Sequence, residues 1–272
     1  QEIDANLLND ATYNVSASAS GANSTVTVVI GTADTDISLA ALVESTNVSN
    51  TVAGMTFVAD ASANTAAITY TGADAAINTI TGSAASGDTL TGGAYADNFV
   101  ILSDGLLFNA SNVMLDTIAG GASAASTYDV LTVGTSGTAF TVVAADDFSK
   151  LSGVEQITGV TNTAATSLTL GASAETAGIT RIDLSATGTV ADTVSVAAYT
   201  TSGVTITGSA GTDTLTGGAG DDTIAGGLLV DTITGGAGND DITGGAGASA
   251  DVLVGGDGND TFNYATDALL MT

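Results

Sequence analysis

Cysteine, histidine, proline and tryptophan do not occur in this 272-residue chain. Without cysteine no disulfide framework can hold the fold, and thiol usage says nothing about redox compartment. Without histidine, Ser-His-Asp and Cys-His catalysis are excluded, and so is an H-E-x-x-H zinc site. A G-x-S-x-G nucleophile elbow is also missing. Adjacent carboxylates occur at Asp146-Asp147 and Asp221-Asp222, but aromatic residues, the platforms a glycosidase would offer a sugar, are only 4% of the chain. The expectation is a protein that is not an enzyme. Basic residues are nearly absent: Lys150 and Arg181 face 29 acidic residues, for a formal charge of -27. Nucleic acid and anionic lipid headgroups are therefore disfavoured partners, and cations are favoured ones. No apolar run approaches the roughly 20 residues of a spanning helix, so no transmembrane segment is expected.

What is present is glycine and aspartate. The chain has 35 Gly, and all but four of its acids are Asp, the short carboxylate that suits turns. Both follow a nine-residue period from Gly208 to Asn263. The blocks read GSAGTDTLT from Gly208, GGAGDDTIA from Gly217, GGLLVDTIT from Gly226, GGAGNDDIT from Gly235, GGAGASADVLV from Gly244 and GGDGNDTFN from Gly255. Only the fifth breaks step, by two extra residues before Asp251. Each block divides its labour: the first six residues must turn tightly while presenting oxygen, and the last three must form a short strand. Gly217, Gly218 and Gly220 can turn without a Cβ clash, with the Asp222 carboxylate beside them. One apolar residue per block (Leu215, Ile224, Ile233, Ile242, Leu253, Phe262) points inward, flanked mostly by β-branched Thr. A flexible acidic linker would not keep an apolar residue in phase over six blocks. Carboxylate and carbonyl oxygens without His or Cys select Ca²⁺ over zinc or copper.

These blocks resemble the RTX nonapeptide repeats of secreted bacterial proteins, in which two repeats make one coil of a parallel β-roll. The resemblance implies calcium between turns two repeats apart on one edge, held by Asp213, Asp222, Asp231, Asp240, Asp251 and Asp260. Carbonyls near Gly218, Gly220, Gly236, Gly238, Gly256 and Gly258 would complete the sites. Two blocks depart from the pattern: Ser209 replaces a glycine, and Leu228-Leu229-Val230 replaces the triplet before Asp231.

The expected fold is all-β, a parallel β-solenoid or β-roll in the C-terminal part with a small N-terminal β-rich or α+β unit. Five segments are expected: that unit over 1–81, degenerate RTX-like coils over 82–132, an irregular parallel solenoid over 133–207, the calcium-binding roll over 208–263, and a truncated tail over 264–272. In the first segment Val26 to Ile30 reads as a strand and Ile37 to Glu44 as a short helix capped by Asp36. Met55 to Ala59 and Ala67 to Thr71 read as a hairpin, with a plain β-sandwich as the alternative. In the second, Asp88, Asp97 and Asp129 stand where a ligand aspartate would be, as calcium turns or as purely structural coils. Asp104 to Asp116 is a loop or short helix. In the third, short alternating strands recur from Phe140 to Ile206, and Asp146 to Gly159 is similar to a connector of S-layer and RTX surface proteins.

The chain lacks an initiator Met and a complete type I secretion signal, and reads as a piece of something longer or a processed product. The expected function is a secreted, calcium-dependent structural protein of the bacterial cell surface: an S-layer or extracellular filament subunit in which several Ca²⁺ ions drive folding and homo-oligomeric assembly. A cell-surface polysaccharide is a candidate anchor. The alternatives are a segment of a large RTX adhesin and the export or folding module of a secreted enzyme.

Overall fold

The computed structural model describes residues 2–4, 25–29, 36–38, 56–72, 77–121, 127–161, 164–246 and 250–263. Nearly all regular structure in it is short parallel strands, in two units: residues 1–132 with 149–154, and residues 133–148 with 155–272.

In the second unit one sheet runs in the order Gln156–Gly159, Arg181–Asp183, Thr205–Thr207, Thr223–Leu228, Asp241–Ala246, Thr261–Asn263. The other runs Phe140–Val142, Thr166–Thr169, Thr193–Ser195, Thr214–Thr216, Thr232–Ala237, Val252–Asp257. Successive strands of the chain alternate between the sheets, so two repeats make one coil. Leu215 pairs with Ile233 and Ile224 with Ile242, two nine-residue periods apart. The extra residues before Asp251 stretch the next coil without breaking register, since Ile233 still meets Leu253. Alternation puts every second side chain inward, which builds two apolar files: Val142, Leu168, Val194, Leu215 and Ile233 in one sheet, Ile157, Ile182, Ile206, Ile224 and Ile242 in the other. All of these are buried. Phe262, at the outermost described strand, is 36% exposed.

The first unit is built the same way. Its sheets run Glu2–Asp4, Thr25–Val29, Thr56–Asp60, Ile77–Thr81, Asn98–Ile101 and Asp36–Ser38, Thr69–Thr71, Thr89–Gly93, Thr117–Gly121, Leu151–Ser152. Two N-terminal expectations are corrected here. Ile37 lies in a strand beside Tyr70 instead of opening a helix; pairing along a parallel ladder outweighs a weak local helix preference, and residues 39–44 lie outside the described residues. The expected hairpin is also absent from this region: Thr56–Asp60 pairs in parallel with Thr25–Val29 and Ile77–Thr81, while Thr69–Thr71 belongs to the other sheet. The stretch after Asp104 forms the short helix Asp104–Leu107, and the coil that contains it is lengthened so that Leu90 pairs with Ile118.

Candidate metal centre

The period of two that buries Ile224 also buries the residue two before it. Asp222 therefore turns inward at the corner where the coil enters its strand, and Gly226, two residues beyond Ile224, turns inward at the exit. Asp213, Asp222, Asp231 and Asp240 are buried in this way in the second unit, as are Asp88, Asp97 and Asp129 in the first. Such burial of a carboxylate demands a partner for each oxygen.

One oxygen of each finds it in the preceding coil. The Oδ1 of Asp213 accepts the backbone N–H of Asp192 at 2.8 Å, that of Asp231 accepts Asp213 at 2.8 Å, and that of Asp251 accepts Asp231 at 2.9 Å. On the other edge Asp222 accepts from Val204 at 2.8 Å, Asp240 from Asp222 at 2.9 Å and Asp260 from Asp240 at 3.1 Å. The first unit repeats the device: Asp88 accepts from Ile68 at 2.9 Å, Asp97 from Asn78 at 2.6 Å, and Asp129 from Asp97 at 2.6 Å. Each aspartate thus ties the corner of one coil to the corner of the next.

The second oxygens differ. Asp213 Oδ2 accepts the N–H of Ser209 at 2.6 Å and its hydroxyl at 2.8 Å, and Asp222 Oδ2 accepts the N–H of Gly218 at 2.7 Å. Asp88 Oδ2 accepts the N–H of Ser83 at 2.7 Å, and Asp97 Oδ2 that of Gly93. The Oδ2 atoms of Asp231 and Asp240 are buried with no hydrogen-bond partner. Burial, reinforced by the Asp213 and Asp251 carboxylates, pushes Asp231 up to about 6. Asp240 is pushed upward by burial and by Asp260 and Asp221. A buried, partnerless carboxylate oxygen is a donor suited to a hard cation.

Main-chain oxygen lies beside it. A Cβ at Gly226 would overlap both Asp231 Oδ2 and the Gly244 carbonyl, and one at Gly235 would overlap Asp240 Oδ2 and approach the Gly255 carbonyl at 2.6 Å. Only glycine leaves that space open. Gly217 repeats the arrangement with Asp222 Oδ2 and the Gly235 carbonyl. The Gly218 carbonyl accepts the N–H of Ala237 at 2.9 Å. Those of Gly220, Gly236 and Gly238 lie against the positive-φ glycines of the next coil, Gly238, Gly256 and Gly258. The carbonyls of Gly235, Gly244 and Gly255, each the first glycine of its block, are thus brought beside carboxylates. Among the described residues no three acidic side chains converge on one point, so calcium at these turns would draw on Asp231, Asp240 and main-chain oxygens. There it would supply positive charge to a file of buried carboxylates. Asp251 and Asp260 extend the two files but are less buried.

Two ladder members lie outside the glycine-headed blocks that the sequence singles out. Asp192 accepts the N–H of Thr166 at 2.7 Å, and Asp116 accepts those of Gly87 and Asp88 at 2.8 and 2.9 Å. Burial pushes Asp116 up to about 6. Their sequence signal is local. Asp116-Thr117-Ile118 and Asp192-Thr193-Val194 carry the same Asp-Thr-apolar triplet as Asp222-Thr223-Ile224, without the glycines in front. The helix Ala172–Ala177 is likewise unannounced by any repeat. Its Glu175 accepts the backbone N–H groups of Thr200, Thr201 and Ser202 at 3.0, 2.9 and 2.9 Å. Those bonds, the one from Thr200 foremost, hold it down at about 2.

A family model of the RTX calcium-binding nonapeptide repeat matches four copies, over residues 199–228, 230–249 and 246–267. No curated protein and no solved structure matches the chain. The glycine-lined turns and carboxylate files after Tyr199 are therefore RTX calcium-binding repeats, folded as a parallel β-roll.

Proposed function

We propose that this chain is a secreted, calcium-dependent structural protein, a subunit of an S-layer or extracellular filament, whose acidic coils fold and assemble where calcium is abundant. The observation that carries this reading is the pair of partnerless buried oxygens on Asp231 and Asp240, inside turns matched as calcium-binding repeats. A charge of -27 makes the calcium-free roll repel itself and its copies. Calcium removes both penalties at once, so folding and association rise together. The role is architectural and not catalytic; the lattice or filament is built from copies of this chain, with a cell-surface polysaccharide as anchor.

The test is a calcium titration of the purified chain from chelator to about 10 mM, which spans the affinities of extracellular calcium modules, followed by circular dichroism and negative-stain microscopy. The expected outcome is β structure and ordered sheets or fibres appearing over the same range. β structure in a chain that stays monomeric would replace the assembly role with that of an adhesin segment or an export module.

A further inference from the structure

The buried aspartates differ in how many donors meet them, and the difference follows the residue that heads the turn. Where a block begins Gly-Ser, the serine closes its aspartate. The Ser83 hydroxyl donates to Asp88 Oδ1 at 2.7 Å while its N–H meets Oδ2 at 2.7 Å. The Ser209 hydroxyl lies 3.0 and 2.8 Å from the two oxygens of Asp213, and its N–H donates to Oδ2 at 2.6 Å. Asp192, in a turn without paired glycines, is closed by the Thr187 hydroxyl instead. Where the block begins Gly-Gly and the second glycine has positive φ, the closure is missing. Gly227 (φ 121°) and Gly236 (φ 125°) head the turns of Asp231 and Asp240, whose Oδ2 atoms have no partner. Serine rarely adopts that conformation.

We propose that Ser83, Thr187 and Ser209 are hydroxyl locks: each takes calcium's place at its aspartate, making the turns of Asp88, Asp192 and Asp213 metal-free. The second residue of the block then decides whether a turn holds an ion. In the second unit the locks at Asp192 and Asp213 lie on one file, with the open oxygen of Asp231 further along it. On the other file Asp240 is open one coil beyond Asp222, whose Oδ2 accepts the Gly218 N–H. The coils up to Thr216 form a base that stands without calcium, onto which the later coils close when the ion binds. This rests on calcium binding at the Gly-Gly turns.

The experiment compares the full chain with Ser209→Gly and Ser209→Ala. Bound calcium is counted by equilibrium dialysis, and hydrogen exchange is followed in chelator and in calcium. The expected result is one more calcium per chain than wild type for Ser209→Gly and for Ser209→Ala alike, since both remove the hydroxyl that meets Asp213. In chelator, wild-type amides of Thr205–Thr207 and Thr214–Thr216 stay protected, while those of Thr232–Ala237 and Asp241–Ala246 exchange at least tenfold faster than in calcium. An unchanged count for Ser209→Gly, with wild type binding calcium, overturns the lock and leaves the calcium reading standing. Uniform loss of protection through Thr205–Ala246 in chelator does the same if Ser209→Gly fails to fold. No calcium bound by any of the three proteins sinks both.

Discussion

The turn at Ser209 and the turn at Gly227 are one coil apart on the same edge of the same roll, and their aspartates are joined directly, since Asp231 accepts the N–H of Asp213. Both carboxylates are buried, yet one has donors on both oxygens and the other has an oxygen with none. Burying a carboxylate in a solenoid therefore does not by itself create a need for metal. The need arises where the chain withdraws its own donors, and a positive-φ glycine at the head of the turn marks that withdrawal.

The strongest way to break the comparison is Asp240→Ala. It removes an open oxygen and also strands the N–H of Asp222, a loss of about 1 to 3 kcal/mol, with about 3 kcal/mol more lost at calcium concentrations a hundredfold above the dissociation constant. Thermal denaturation in calcium should show both losses. Asp240→Asn keeps an acceptor for Asp222 and removes the charge, so in calcium its midpoint should fall by only the second part. Equal midpoints for the two variants would mean that the ladder bond is worth nothing.

pH sharpens the same contrast. Asp231 is raised from the ordinary carboxylate value to about 6. Between those values the folded state binds more protons than the unfolded one, so without calcium stability falls as pH rises toward 6. The calcium-free protein should melt higher at pH 4 than at pH 7.5, whereas calcium, which needs the ionised carboxylate, should lose its stabilising effect as pH falls through about 6. Melting curves with and without chelator at both pH values test this.

Leu229→Gly acts on the turn without touching its ligand. Leu229 sits at φ 66° and is half exposed; relief of left-handed strain at about 1 to 2 kcal/mol outweighs glycine's entropic cost of roughly 0.5 to 1 kcal/mol. A rise in the calcium-loaded melting temperature is expected, and a fall would mean that Leu229 makes a contact worth more than its strain. The smallest effect belongs to Glu175→Gln, which weakens a carboxylate staple to the turn Thr200 to Ser202. Glu175 is lowered to about 2, so its contribution is complete above the ordinary glutamate value and vanishes as pH falls through about 2. Exchange at those three amides should be faster in the variant at pH 7, and the gap should narrow progressively as acid approaches pH 2.

Periodicity makes the C-terminal coils and their carboxylate files legible in the sequence. Nine residues with one apolar position, Leu215 through Ile242, resemble the repeats of a β-roll, the structure stacks them two to a turn, and the same period carries Asp222 and Asp240 to one edge and Asp213 and Asp231 to the other. Local order in the chain is enough there, because each repeat contacts chiefly its neighbours along the coil. Where the period lapses, local signals mislead: Ile37 reads as helical and Met55 to Ala59 as half of a hairpin, although Ile37 and the strand Thr56–Asp60 join parallel ladders whose partners are distant in the chain. Asp116 and Asp192 are hidden because their glycines are missing, although their Asp-Thr-apolar triplets are intact. Composition and spacing determined a calcium-binding coil. Only the tertiary structure decided which carboxylates remain open, because a donor such as the Ser209 hydroxyl matters through where its turn places it against a buried oxygen, and burial is a property of the stacked coils and not of any one repeat.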